Sequence, residues 1–219
     1  MKSAMKQKIV DAVVDITEAS SMRSVHIAKI IKELGINRNT FYYHFDGKYD
    51  VAMYVFRHDL ADELTANVPT DRLLEAPLSS EGSSEMLPYY VHFETGARSL
   101  DLGDFFKSLV RCVMRRPSFY GKLFNNKEPE FKARMDTLYR PAVENDFKFV
   151  LDGRYMPKET FDYLVSRYLD DISFIPSYHL ANSTASAQLL DERINPFWNL
   201  PYEILPPELQ KHPINRLRQ

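Results

Sequence analysis

Cysteine occurs once in the 219 residues, at Cys112, so no disulfide can close within the chain. That usage suits a reducing compartment, and a cytoplasmic protein is expected. Long apolar runs are missing too. Nothing approaches the roughly 20 residues that cross a bilayer, so no membrane partner is expected. The first twenty residues, MKSAMKQKIVDAVVDITEAS, mix Asp and Glu into the apolar positions and lack a signal-peptide core. Glycine is scarce at seven residues, and no glycine-rich phosphate loop is present. His92 and Glu94, and His179 beside Tyr178, have no further His or Cys at metal-ligand spacing. No Ser/His/Asp arrangement carries a local signature. No cofactor, metal ligand or catalytic residue is therefore expected.

A strong excess of one charge is also lacking. The net charge is -2, which does not by itself announce a nucleic-acid binder. Residues 1–60 nevertheless carry nine Lys and Arg against seven Asp and Glu, while the remainder is acidic. The charge balance permits an N-terminal contact with DNA without establishing one.

Apolar residues make up 44%, ample for a packed core. Their spacing is helical almost throughout. Met5, Ile9, Ala12, Val13 and Ile16 recur at three and four residues, an amphipathic stripe. Ser24 is placed to cap a second helix, VHIAKIIKEL, with Ile27, Ile30, Ile31 and Leu34 inward and Gly35 as its stop. A third helix is expected from about Arg38 to Phe45. Asp46-Gly47 breaks it, and KYDVAMYVFRHDLADEL restarts as a longer helix. Residues 67–88 hold three prolines, a glycine and four serines and read as a linker or mobile loop. Further helices are expected in DFFKSLVRCVMRR, EFKARMDTLYRPAVENDFKFVLDG and KETFDYLVSRYLDDISFI, with Pro141 bending the second. Strand-like alternation is brief, near YYVHFE. The segment from Asn195 onward has five prolines in 25 residues and reads as an extended tail.

The expected fold is all-α. A three-helix domain over 1–47 is followed by a connecting helix over 48–66, a larger helical domain over 67–194 and the Pro-rich tail over 195–219.

The densest feature is GINRNTFYYHFDGKYD at 35–50. Two short helices joined by a tight glycine turn form a helix-turn-helix, whose second helix enters the major groove. At about 100° per residue, Phe41 and Phe45 share one side while Asn39, Thr40, Tyr43 and His44 spread over the other. Arg forks onto guanine and Asn brackets adenine, so Arg38, Asn39 and Tyr43 are the candidate base readers. Tyr42, His44 and Lys48 are the candidate backbone clamps, Lys48 together with the N-terminus of the next helix. The same geometry also occurs in ordinary helical packing.

On these residues the segment resembles the TetR (tetracycline-repressor-like) family of bacterial transcriptional regulators. Gly35, Ile36, Asn37, Thr40, Phe41, Tyr42, His44, Phe45 and Lys48 fall in register with the family's pattern, and Ile30 fits upstream. The likeness covers roughly the first 60 residues. It implies a homodimer with N-terminal DNA-binding heads and a helical ligand-binding and dimerisation domain. It also implies phosphate contacts by Tyr42, His44 and Lys48, and DNA contacts by Arg38, Asn39 and Thr40 near the recognition-helix start. Asn37 is grouped with the backbone contacts. Ser21 stands where the family usually has Gly, and Val25-His26 replaces the usual Thr pair. His26 or Ser24 would then take over the hydroxyl contact.

Residues 89–179 hold 18 of the 27 Phe and Tyr. Tyr89, Tyr90, Phe93, Phe105, Phe106, Phe119, Tyr120 and Tyr139 are loose candidates for an effector pocket, set against the reading of a core simply rich in aromatics. Phe161, Leu164, Val165, Tyr168, Leu169, Ile172 and Ile175 form a stripe broad enough for core and a partner helix. Cys112 beside Arg111, Arg115 and Arg116 is either a redox-sensitive thiol or a core residue.

The expected partners are double-stranded operator DNA, a second copy of the chain and a small-molecule effector. The expected function is a ligand-responsive transcriptional regulator, in the repressor sense, on a palindromic operator. An enzyme and a protein-interaction module remain the rival readings.

Overall fold

The structure, a computed structural model, describes residues 2–78, 85–124, 128–182 and the backbone of 199–200. Eight α-helices dominate these residues. They are α1 (Lys2–Ala19), α2 (Ile27–Leu34), α3 (Arg38–His44), α4 (Lys48–Asn67), α5 (Gly103–Arg115), α6 (Pro117–Phe124), α7 (Pro129–Leu151) and α8 (Lys158–Ala181). The all-α expectation holds, with small strand pairs added. The short α6 escapes sequence reading because eight residues rich in aromatics show no clear period.

The α2–α3 junction follows from its turn chemistry. Gly35 adopts φ 63° and ψ 31°, the left-handed region, and its N–H reaches the Ile31 and Lys32 carbonyls. The Ile36 N–H then reaches back to the Ile31 carbonyl at 3.1 Å, which completes the helix stop. Ser24 departs from expectation. It ends a 3-10 turn, Met22–Ser24, capped by Ser21, and His26 occupies the N-cap position of α2. The extended Val25 separates the two, so the Ser24 hydroxyl bonds Ser20 and Ser21 instead.

Helix α4 is the spine. Val51, Ala52, Val55, Phe56, Leu60 and Leu64 are all buried, because α1, α5, α7 and the second strand surround it. One continuous apolar cluster therefore runs from the N-terminal head into the body.

The 67–88 stretch is not simply a linker. Strands β1 (Leu74–Pro77) and β2 (Met86–Tyr90) pair antiparallel, with Leu74 opposite Tyr90 and Pro77 opposite Met86. Arg57 of α4 ties the ribbon to the helix by donating to the carbonyls of Ala76, Pro77 and Leu87, each at 2.9 Å. A three-stranded sheet follows in the order β3 (Phe93–Thr95), β4 (Ser99–Asp101) and β5 (Asn199–Leu200). Apart from β5, which pairs with β4, the Pro-rich tail lies outside the described residues. Helix α7 runs through Pro141.

Buried polar groups tie the body helices. Asp146 of α7, 1% exposed, accepts the Tyr90 hydroxyl at 2.8 Å and lies 2.8 Å from His92 Nδ1. That carboxylate raises the imidazole above its ordinary value against the opposing effect of burial. Asp59 of α4 accepts from Tyr120 at 2.7 Å and from Arg116 at 3.1 Å. Arg115 turns to Asp62 at 3.0 Å. Neither Arg115 nor Arg116 is simply solvated, because each has a carboxylate on α4 within reach. Cys112 is fully buried, and burial pushes its thiol well up, so it is a core residue and not a redox-sensitive thiolate.

Several side chains expected at a pocket or interface lie in the core. Tyr89, Tyr90, Phe105, Phe106, Phe119, Tyr120 and Tyr139 are buried together, and Phe93 packs against them partly covered. Four of the α8 stripe residues, Val165, Tyr168, Leu169 and Ile172, are also covered by their own chain. A partner helix could reach them only by opening the core, so that expectation is corrected. Phe161, Leu164 and Ile175 are partly buried against the same cluster. Helix α8 is flanked by α5, α6 and α7, which takes up its apolar side. Tyr163, Phe174 and Tyr178 form its exposed aromatic face instead. Among the described residues, no helix is long and apolar enough to cross a membrane.

Candidate nucleic-acid interface

Helix α3 has seven residues, and only Phe41 is fully buried. Phe45, just beyond it and 3% exposed, lies 6.4 Å from Phe41 between ring centroids. These two rings anchor α3, as its periodicity predicts. At its start, Asn37 accepts from the Thr40 N–H at 2.7 Å and from the Thr40 hydroxyl at 3.0 Å. Asn37 and Thr40 are thus joined as a helix cap, which sets the angle at which α3 leaves the turn.

The remaining side chains face out. Arg38 and Asn39 are exposed, and so are Tyr42 and Tyr43 at 41% and 67%. The Arg38 guanidinium lies 5.3 Å from the Tyr42 ring centre, which limits its freedom and orients its fork. Tyr43 meets the half-buried His44 ring edge-on at 5.1 Å. His26 is exposed at the head of α2 and makes no side-chain cap bond.

An open concavity of about 650 Å³ runs between α1 and α3. Asn39, Thr40, Tyr43 and His44 line one wall, and Met5 and Lys8 of α1 line the other. Met5 and Lys8 were not among the sequence candidates. Lys8 reads as an ordinary exposed helix position, and only the packing of α1 on the head puts it beside α3.

Lys48 has an internal role. Its ammonium donates to the carbonyls of Met22 at 2.8 Å and Val25 at 3.4 Å, holding the 3-10 turn and the start of α2 against α4. Lys48→Ala is therefore expected to lower stability by about 1–2 kcal/mol, read as a fall in the thermal unfolding midpoint. An unchanged midpoint would show that these bonds do not stabilise the head.

A second contact joins head and body. Glu128, 2% exposed at the start of α7, accepts from the Tyr49 hydroxyl at 2.9 Å and lies 3.7 Å from Arg23. The Tyr49 phenol is pushed up to about 12, first by burial and then by this carboxylate, so it stays a donor. The sequence offers a faint signal for this joint, an acid immediately before a helix-starting proline. Its partners are far away in the chain and were not foreseen.

A head of three helices, with a polar short helix held outward by two phenylalanines, has the helix-turn-helix arrangement that DNA-binding proteins use. Residues 9–55 match the family described as bacterial regulatory proteins, tetR family. Over those residues the N-terminal domain is of the TetR DNA-binding type, and the relatives it matches are named helix-turn-helix transcriptional regulators. Among its relatives are the HTH-type transcriptional regulator SAB2452 of Staphylococcus aureus (strain bovine RF122 / ET3-1) and SAUSA300_2515 of Staphylococcus aureus (strain USA300). Each is 24% identical over 175 residues, covering 76% of this chain and 94% of the relative. No solved structure matches the chain at comparable significance.

Proposed function

We propose that the protein is a ligand-responsive transcriptional repressor that binds a palindromic operator as a homodimer in the cytoplasm. The observation carrying this reading is the outward set Arg38, Asn39 and Tyr43 on a helix anchored by Phe41 and Phe45 within a TetR-type head. In this reading, those three residues meet base edges. Tyr42, His44 and His26 meet the phosphate backbone, with Ser24, Asn37, Thr40 and Lys48 close to it. The exposed face of α8 supports the dimer, because Phe174 and Tyr178 lie side by side there, tilted, with centroids 6.1 Å apart and their rings open to solvent. The Glu128 joint and α4 supply the route by which an effector in the body, over 67–194, biases the heads.

The test is selection of bound genomic fragments, followed by titration of the recovered operator at several salt concentrations. Arg38→Ala and Asn39→Ala are each expected to lower affinity about tenfold and relax preference at one base position. Tyr42→Phe should weaken all sequences alike. Unaltered base preference in both alanine variants would overturn the assignment of readers.

A further inference from the structure

Arg57 is the bulkiest of the fully buried side chains, 2% exposed in the middle of α4. A buried guanidinium normally faces a carboxylate, because desolvating an uncompensated charge is costly. Among the described residues none lies within ion-pair distance of it. Its Nη atoms are taken by the three ribbon carbonyls, and Nε has no acceptor. Burial draws the group down from its ordinary value, opposed by the Tyr139 and Tyr89 phenols, and an arginine so placed still stays charged at neutral pH.

The surroundings are aromatic. The guanidinium lies 5.7 Å from the Tyr89 ring centre, and Tyr89 and Tyr139 are 5.9 Å apart. Phe105 closes on Tyr139 at 5.5 Å. The Tyr139 hydroxyl is fully buried and makes no hydrogen bond among the described residues. A cation without a counter-charge, an unused N–H and an unused O–H thus share one apolar compartment. Asp146, the nearby buried acid, is already engaged by Tyr90 and His92.

Resting on the effector reading above, we propose that the effector is a small carboxylate with an apolar body, bound between Arg57 Nε and the Tyr139 hydroxyl. Three of the five guanidinium N–H groups are spent on the ribbon, which leaves Nε–H and one Nη1–H beside the Tyr139 hydroxyl, enough donors for both oxygens of a carboxylate. A phosphate dianion would leave most of its acceptors unmatched. The rings of Tyr89, Tyr139 and Phe105 pack against one another, so the apolar body is seated by parting them. Tyr89 is on β2 and is the least buried of the three, so its rotation opens the site from the surface. Because α4 carries Arg57 at its centre and Lys48 and Tyr49 at its start, an anion drawn onto Arg57 acts on the helix that holds the head.

The experiment uses the full chain and a panel of benzoate and straight-chain carboxylates from butanoate to decanoate. Benzamide and benzylamine serve as neutral and cationic counterparts. Thermal unfolding and calorimetric titration read binding, and release of the recovered operator fragment reads regulation. At least one carboxylate should raise the unfolding midpoint in a concentration-dependent way, with no effect of the amide or amine. Tyr139→Phe should weaken that carboxylate about five- to tenfold while leaving the fold intact, because it removes only an unpartnered hydroxyl. Arg57→Lys tests the same site, but it also loosens the ribbon, so Tyr139→Phe is the deciding variant. Binding of no carboxylate, equal binding of benzamide, or full affinity in Tyr139→Phe would overturn the proposal. If the amide or amine binds and releases DNA instead, the effector reading survives and the anion assignment falls. If a carboxylate binds through Tyr139 without altering DNA affinity, the site stands and the regulatory reading falls.

Discussion

Phe41→Ala should unfold the head and abolish DNA binding. The side chain is fully buried and is the one fully buried residue of α3, so nothing else in that helix compensates for its loss. Truncating a buried phenylalanine costs about 3–5 kcal/mol, part transfer and part cavity. The gap would open beside Phe45 and under Tyr42, whose ring stands edge-on to Phe41 at 5.4 Å. A head of three short helices has little margin against that loss. Chemical denaturation should show the fall in stability, and mobility-shift titration the loss of binding. Tyr43→Ala is the control. At 67% exposed, its removal should move stability by no more than about 0.5 kcal/mol while still weakening DNA binding. If both variants lost stability equally, the division between anchor and reader would be wrong.

The second large effect is expected in the body. Asp59→Ala removes the acceptor of the fully buried Tyr120 hydroxyl and the partner of Arg116, which itself reaches solvent. The orphaned hydroxyl accounts for most of an expected loss of about 2–4 kcal/mol, since Arg116 can turn to water. Urea unfolding measures it. The double variant Asp59→Ala/Tyr120→Phe should recover part of the loss, because the hydroxyl left without an acceptor is then gone as well. No recovery would mean that packing, not the hydrogen bond, joins α4 to α6.

The Tyr49–Glu128 contact and the Arg57–ribbon contact have a common consequence. Helix α4 is held at its start by Lys48 to the head and by Tyr49 to the start of α7, and at its centre by Arg57 to the ribbon, so a shift at either end is felt along one rigid element. That arrangement is what a regulator with separate DNA and effector regions requires.

Much of this was legible in one dimension, and the reason is local. Gly35 had to take the left-handed conformation that ends α2, and Asn37 two residues later had the side chain to cap α3. Phe41 and Phe45, four apart, had to share a face. Each of these depends on residues within a turn of one another, so spacing alone determined the helix-turn-helix and which α3 residues point outward. The aromatic wealth of 89–179 could not be divided the same way. Whether Tyr139 or Phe105 lines a pocket or fills a core depends on what lies opposite, and the structure placed them in the core around Arg57.

Arg57 carries only a faint signal in the sequence, a charge at the inward spacing of Met53 and Leu60. Its meaning came only from the carbonyls of a ribbon twenty and thirty residues away. Likewise Lys48 resembles a phosphate clamp in sequence, and only folding brought its ammonium to the carbonyls of Met22 and Val25. The sequence by itself determined the helices, the turn and the outward face of α3, because those are set by neighbours along the chain. The tertiary structure alone decided which polar groups are satisfied and which are left waiting, because the partners of a buried charge are contributed by elements distant in sequence.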